Sequence, residues 1–307
     1  MLLQLRTLML PLAMLAGYLL SGFFAGLGPM TPFLIFGMLF ISFCRISPRE
    51  LRFKRMYLWL LAVQLCVSVV IFLLLRPLHE TGAQAMMVCI LAPTATSAIV
   101  IAGMLGADMA TMAGFTLLSN SACAIAAPLI FSFVGTYSDI PFLDSFLLIL
   151  GKVVPVLILP FATAITLHFL WPRATKAVSK MSMASFYMWA LSLIIVTGQT
   201  VEFIKAEPSE NYGMEFLMAL GALGICVMQF AVGRAFGRRY GERIAGGQSL
   251  GQKNTVLAIW MTQTYLDPVS SIGPASYVLW QNVVNSWQLW SEQRRAARAR
   301  QGAHRPE

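Results

Sequence analysis

Apolar residues fill long stretches of this chain, and the polar residues between them gather in short clusters instead of recurring at helical spacing. Runs bounded by charge or by Pro and Gly fall near residues 6–26, 30–46, 54–76, 82–106, 109–135, 141–170, 183–204, 213–236, 243–266 and 270–291. Each approaches the roughly 20 residues with which an α-helix crosses a bilayer. The pattern therefore predicts an all-α polytopic membrane protein with ten transmembrane helices. The sixth run is the longest and contains Pro155 and Pro160, which predicts tilt or a kink. The first follows Arg6, is long and lacks a clear small-residue cleavage site, so it reads as a span and not as a signal peptide.

Two of the runs are interrupted by polar and helix-breaking residues: Pro93-Thr94-Ala95-Thr96-Ser97 in the fourth and Gly246-Gly247-Gln248-Ser249-Leu250-Gly251-Gln252-Lys253-Asn254-Thr255 in the ninth. Non-helical backbone at membrane depth is tolerated only where protein buries it or it lines a cavity, and paired breaks of this kind point to a transporter's binding site. Ten spans divide into two halves of five, residues 1–136 and 141–293. An odd number per half makes the second half enter the membrane upside down. The expected architecture is thus two inverted five-helix repeats, with broken helices four and nine crossing at the midplane. The repeat rests on hydropathy and break position, since the halves share no strong residue-level similarity. Residues 294–307 form a basic tail, and the whole is a single membrane domain.

Composition sharpens this picture. With 58% hydrophobic and 11% charged residues among 307, the chain is far from a soluble domain, where about 25% of residues are charged. The net charge of +9 sits in clusters between spans: Arg45, Arg49, Arg52, Lys54 and Arg55; Arg173, Lys176 and Lys180; Arg234, Arg238, Arg239 and Arg243; Arg294, Arg295, Arg298 and Arg300. All four fall on one side of a ten-span arrangement, which makes that side cytoplasmic and places both termini there, in a plasma or bacterial inner membrane. Asp139, Glu202, Glu207, Glu210 and Asp267 mark the other side. The basic clusters report topology, not nucleic-acid binding, and the tail faces anionic lipid. Cys44, Cys66, Cys89, Cys123 and Cys226 stand singly in apolar stretches and read as packing residues, without a disulfide frame or metal spacing.

A broken helix ends in unpaired carbonyls and restarts with unpaired N–H groups, a partly negative and a partly positive pole. Two such helices crossing antiparallel bring both poles together, so that N–H ends hold an anion and carbonyl ends suit a cation. Thr94, Thr96 and Ser97 supply hydroxyls at the first break; Ser249, Gln252, Asn254 and Thr255 supply amides and hydroxyls at the second. Neighbouring spans add Gln64, then Thr116, Ser119, Asn120 and Ser121, then Gln281, Asn282, Asn285 and Ser286. The alternative is a simple proline kink at Pro93, a glycine-rich packing face at Gly246-Gly247, and polar side chains acting as glue between helices.

Gly251-Gln252-Lys253-Asn254-Thr255-Val256-Leu257-Ala258, followed by Asp267-Pro268 and Trp280-Gln281-Asn282, resembles the ninth and tenth spans of the bile acid:sodium symporter (BASS) family, whose ninth-span motif reads E-x-G-x-Q-N-x-x-L-A. Pro93 to Asp108, with Thr116 and Ser119, is similar to the fourth and fifth spans, with a two-residue difference in spacing. The resemblance implies a panel domain of spans one, two, six and seven and a core domain of spans three to five and eight to ten. It also implies transport of a small or amphipathic organic anion by alternating access. In sodium-coupled members the acidic residue and the glutamine of the ninth-span motif coordinate sodium; Ser249 and Lys253 stand at those positions here, and Thr96-Ser97 replaces a Ser-Asn pair. A fixed ammonium about 4 Å from a bound cation would repel it by several kcal/mol at an effective dielectric near 20. Classical sodium coupling is therefore not expected.

Lys253 is then a candidate to stand in for the sodium ion and complete a site for an organic anion, with sodium or a proton as the possible coupling ion. Its alternatives are snorkelling to an interface or pairing with Glu242 or Asp108. Asn254, Asn282, Thr94, Thr96, Ser97, Thr255 and Gln281 are the expected substrate contacts. Gln64, Thr116, Ser119, Asn120, Ser249, Gln252 and Lys253 are the expected cation site or its remnant. A proton-coupled or uncoupled exporter is the alternative within transport, and a non-transporting membrane receptor or scaffold the alternative outside it. Gly247-Gln248-Ser249-Leu250-Gly251 matches G-x-S-x-G, but that nucleophile elbow needs a strand-to-helix turn and a base. No enzyme, cofactor or metal is expected.

Overall fold

A computed structural model of the protein describes residues 2–46, 51, 53–137, 139–206 and 212–303; for residues 2–8, 293 and 295–303 it describes the backbone alone. Arg49, Arg52, Glu207 and Glu210, used above to orient the chain, lie outside the described residues. The described chain is predominantly helical: α1 Leu2–Leu19, α2 Ser21–Ala25, α3 Thr31–Phe43, α4 Arg55–Ala62, α5 Ser68–Leu75, α6 Glu80–Leu91, α7 Ser97–Met104, α8 Met109–Val134, α9 Phe142–Leu170, α10 Pro172–Ser179, α11 Ser182–Ala206, α12 Tyr212–Arg239, α13 Arg243–Gly251, α14 Thr255–Tyr265 and α15 Ile272–Ala303. A π-helical turn, Val63–Val67, joins α4 to α5.

By length and composition five helices suffice to cross a membrane: Arg55–Leu75, Met109–Val134, Phe142–Leu170, Ser182–Ala206 and Tyr212–Arg239. They make this a membrane-embedded protein. Their outward faces carry the residues that water would reject, such as Leu73, Leu74, Phe133, Leu159, Phe216 and Leu217, as expected of surface that meets lipid tails.

Local chemistry explains where the helices stop. α7 and α12 both end on a glycine in the left-handed region, Gly106 (φ 86) and Gly241 (φ 74). In each case the next N–H reaches back to a carbonyl of the last turn: Ala107 N–H to Ala102 O at 2.8 Å, and Glu242 N–H to Gly237 O at 2.8 Å. This is the Schellman closure, which satisfies carbonyls that a helix end leaves open. α8 starts under an Asp108 cap, whose carboxylate accepts from Ala110 and Thr111 N–H at 3.1 Å each. Asn254 caps α14 by accepting from Leu257 N–H at 3.3 Å.

The glycine pair in the ninth apolar run departs from expectation. Gly246 and Gly247 lie inside α13 and do not unwind it. They let α13 fold back against α12 at backbone contact: a Cβ on Gly246 would clash with Gly233 O and come within 2.8 Å of Gly237 Cα. Removing two side chains brings the helix axes together, so the glycines act here through close approach. The non-helical stretch is confined to Gln252, Lys253 and Asn254, whereas between α6 and α7 it runs from Ala92 to Thr96.

α1, α2 and α3 pack on α11, and α9 packs on α3 and on α8; α6 packs on α5, α12 and α15. The largest cluster of buried apolar side chains threads between these groups, including Ile35 and Leu39 of α3, Leu193 and Val196 of α11, and Val256, Leu257 and Ile259 of α14.

Candidate functional site

The two non-helical stretches meet. Asn254 N–H donates to Pro93 O at 2.8 Å and Ala95 N–H donates to Gln252 O at 3.0 Å, an antiparallel bridge that sets Thr94 opposite Lys253. The ends of α6, α7, α13 and α14 thus converge on one point. Burial there is nearly complete: Thr94 is 0% exposed and Lys253 1%.

Burial obliges each carbonyl at the end of α6 to find a donor. Val88 O takes Ala92 N–H at 2.9 Å within the chain. Cys89 O accepts from Gln229 Nε2 of α12 at 3.0 Å. Ile90 O accepts from Lys253 Nζ at 2.7 Å. Leu91 O and Ala92 O share Gln64 Nε2 at 2.8 and 3.2 Å. Gln64 belongs to the π-helical turn, whose extra residue offsets its side chain from the register of α4; such turns recur at functional positions. The Lys253 ammonium therefore stands on the negative pole of a helix dipole. Glu242 and Asp108, its alternative partners, both face Lys54, which pairs with Glu242 and lies 3.8 Å from Asp108.

Thr94 secures the other strand. Its hydroxyl donates to Ser249 O at 2.6 Å, its N–H donates to Ser119 Oγ at 3.1 Å, and its carbonyl accepts from Asn120 Nδ2 at 3.1 Å. Ser119 in turn donates to Gln64 Oε1 at 2.8 Å, so Gln64, Ser119 and Asn120, expected at a cation site, form one network with Thr94, expected as a substrate contact. Two oxygens beside it, Thr116 Oγ1 and Asn120 Oδ1, are buried without a hydrogen-bond partner. Gln281 brackets Lys253: its Oε1 accepts from Lys253 N–H at 2.8 Å, and its Nε2 donates to Lys253 O at 3.3 Å. A row of amides not singled out as a row from the sequence adjoins it. Gln248 Nε2 donates to Asn285 Oδ1 at 2.9 Å, Asn285 Nδ2 to Gln252 Oε1, and Gln252 Nε2 to Ser97 Oγ at 3.4 Å.

Several expected substrate contacts serve the fold in this conformation. Asn254 caps α14, Thr255 is its buried first residue, and Asn282 Nδ2 donates to its own helix at Val278 O, 2.6 Å away. Ser249 Oγ lies 3.5 Å from Met112 Sδ. The open part of the crossing is the start of α7, where Thr96 is half-buried, with its hydroxyl 3.1 Å from Ser42 Oγ of α3, and Ser97 is exposed. Ala98 N–H donates to Ala95 O at 3.0 Å and Ile99 N–H to Thr96 O at 3.4 Å, so the polar group this end leaves exposed is the side chain of Ser97.

On the side of the molecule where α4, α8 and α13 begin, Asp108 has a titration consequence. A hydrogen bond from the Thr111 hydroxyl, then those from Ala110 and Thr111 N–H and the nearby Lys54 ammonium, hold its carboxyl below the usual carboxylate range. A depressed folded-state value contributes stability above the unfolded value of about 3.9, which is lost as pH falls through the folded one. The melting temperature is expected to drop below about pH 4, less steeply in Asp108→Asn; equal slopes would remove Asp108 from the account.

The chain matches no protein-family model and no curated protein.

Proposed function

We propose that the chain is a secondary carrier that moves a small or amphipathic organic anion by alternating access, in the manner of the BASS family that its ninth and tenth spans resemble. In this reading α6–α7 and α13–α14 are the broken fourth and ninth helices of two inverted five-helix repeats, ten spans in all, with both termini cytoplasmic. α4 to α8 and α12 to α15 form the core; α1 to α3 and α9 to α11 form the panel. The observation that carries the reading is the antiparallel bridge at Thr94 and Lys253, which joins two interrupted helices end to end inside a membrane-embedded protein.

The anion binds at the start of α7, where Ser97 is exposed and Thr96 half-buried. Lys253 supplies the fixed positive charge that a sodium ion supplies in coupled relatives, seated on the carbonyl end of α6. Sodium at that point is disfavoured by repulsion from the ammonium and by the exchange of a carboxylate for the Ser249 hydroxyl. Thr116 Oγ1 and Asn120 Oδ1, oxygens still lacking a partner, are the remnant of a cation site. The coupled ion is then a proton, or sodium at that remnant, or none.

The test is thermal stabilisation of the purified protein across a panel of organic anions, with sodium and pH varied independently, because a ligand that binds only the folded state raises the melting temperature by mass action. At least one anion is expected to stabilise without requiring sodium. Stabilisation that strictly requires sodium would overturn the sodium-surrogate role of Lys253. Absence of stabilisation by every anion, with no flux in proteoliposomes, would favour a receptor or scaffold.

A further inference from the structure

The hydrogen bonds that join α1–α3 and α9–α11 to the rest of the chain among the described residues lie at the crossing or to one side of it. One is the Thr96–Ser42 contact at the crossing. The others cluster two turns beyond it along α14. Gln263 Nε2 donates to Val196 O at 3.1 Å and to Thr200 Oγ1 at 3.0 Å, and Thr200 Oγ1 lies 3.2 Å from Ser271 Oγ. Thr200 also donates to Val196 O at 2.9 Å. A hydroxyl has one proton; with it committed to Val196 O, Thr200 must accept from both Gln263 and Ser271. Three polar side chains from α14, α11 and the 3-10 turn Pro268–Ser271 are thereby tied at a single oxygen. On the opposite side of the crossing, Ser97, Val100 and Met104 of α7 are exposed.

We propose that Gln263, Thr200 and Ser271 form a hydrogen-bonded gate that closes the Asp267 side of the crossing and must part before the site can be reached from that side. The inference rests on the carrier reading above. The gate is built to release. Gln263 Oε1 is buried without a hydrogen-bond partner, a penalty carried only in the closed state, because parting the helices returns that oxygen to water. On opening, Gln263 Nε2 loses two acceptors on α11 and the Ser271 hydroxyl loses one, and each gains water in exchange. Two arrangements of similar free energy, separated by sliding of α11 past α14, are what an alternating-access device requires. None of the three residues touches the crossing itself, so their substitution changes which side is open and leaves the site in place.

The test uses the full chain with its five cysteines replaced and Ser97→Cys introduced, in membrane vesicles of both orientations, probed with a membrane-impermeant maleimide. With the gate intact, labelling is expected from the Lys54 side and at least tenfold slower from the Asp267 side. Gln263→Ala, and separately the near-isosteric Thr200→Val, are each expected to raise labelling from the Asp267 side at least tenfold. A Gln263→Cys, Thr200→Cys pair, oxidised to a disulfide, is expected to suppress labelling at position 97, scored at that residue by peptide mass, and reduction to restore it. Unchanged Asp267-side labelling in both single variants would overturn the gate while leaving the carrier reading intact. An introduced thiol unreactive from both sides in every background would overturn the carrier reading and the gate with it.

Discussion

Replacing Lys253 by methionine is expected to abolish anion-dependent stabilisation of the protein without lowering its melting temperature. Burying an ammonium costs several kcal/mol even after relaxation and water penetration. Against that, one charge-assisted hydrogen bond returns about 1.5–3 kcal/mol, and a helix carbonyl end up to about 2 kcal/mol in partly buried geometries. Methionine has nearly the same length and none of the desolvation, but it leaves Ile90 O without its donor, so the net change in stability is expected within about 1 kcal/mol of zero. A residue so poorly compensated is retained for something other than stability, which in the proposed carrier is its positive charge at the crossing. Lys253→Gln removes the charge while keeping a polar amide at the joint. That variant is expected to shift the sodium and pH dependence of anion binding. A methionine variant that melts many degrees lower, or a glutamine variant with unchanged ion dependence, would return Lys253 to a structural role.

The second large effect is steric. Gly246→Leu is expected to prevent accumulation of folded protein, or to lower its stability by more than about 3 kcal/mol, in the range of severe overpacking. The backbone of Gly233 and Gly237 occupies the space that any side chain would need, and neither helix can yield without parting α12 from α13. Gly224→Leu is the control: another glycine inside a helix, on the partner helix α12 but facing open space, where leucine is expected to be harmless or mildly stabilising through helix propensity. Monodispersity after detergent extraction, followed by thermal melting, distinguishes the two.

The helical, membrane-embedded character was legible because hydropathy acts over whole runs and tolerates local ambiguity. The first interruption was legible to within one residue, since Pro93 cannot donate a backbone hydrogen bond and its neighbours are hydroxyls that favour caps over helix interior. The second was misplaced in part. Glycine reads both as a helix breaker and as a contact surface, and at Gly246 only the facing Gly233, a residue thirteen positions away in the chain, decides between them. The partners of Lys253 illustrate the same limit. Glu242 and Asp108 carry the complementary charge, yet Lys54 stands at the start of α4 beside both, whereas the actual acceptor is the Ile90 carbonyl, a group every residue possesses and no sequence pattern marks. The π-helical placement of Gln64 was hidden likewise, because a single-residue offset leaves apolar periodicity almost unchanged. Asn254, Asn282 and Thr94 were chosen for polarity at membrane depth, and depth alone does not separate a side chain that meets a solute from one that satisfies backbone.

The bridge between the two interrupted helices is made of main-chain groups alone, Pro93 O with Asn254 N–H and Gln252 O with Ala95 N–H. The two bridging hydrogen bonds therefore ask nothing of side-chain identity, and only proline at position 95 or 254 deletes a donor. A chain can thus carry a neutral amide or an ammonium at position 253 on the same main-chain joint.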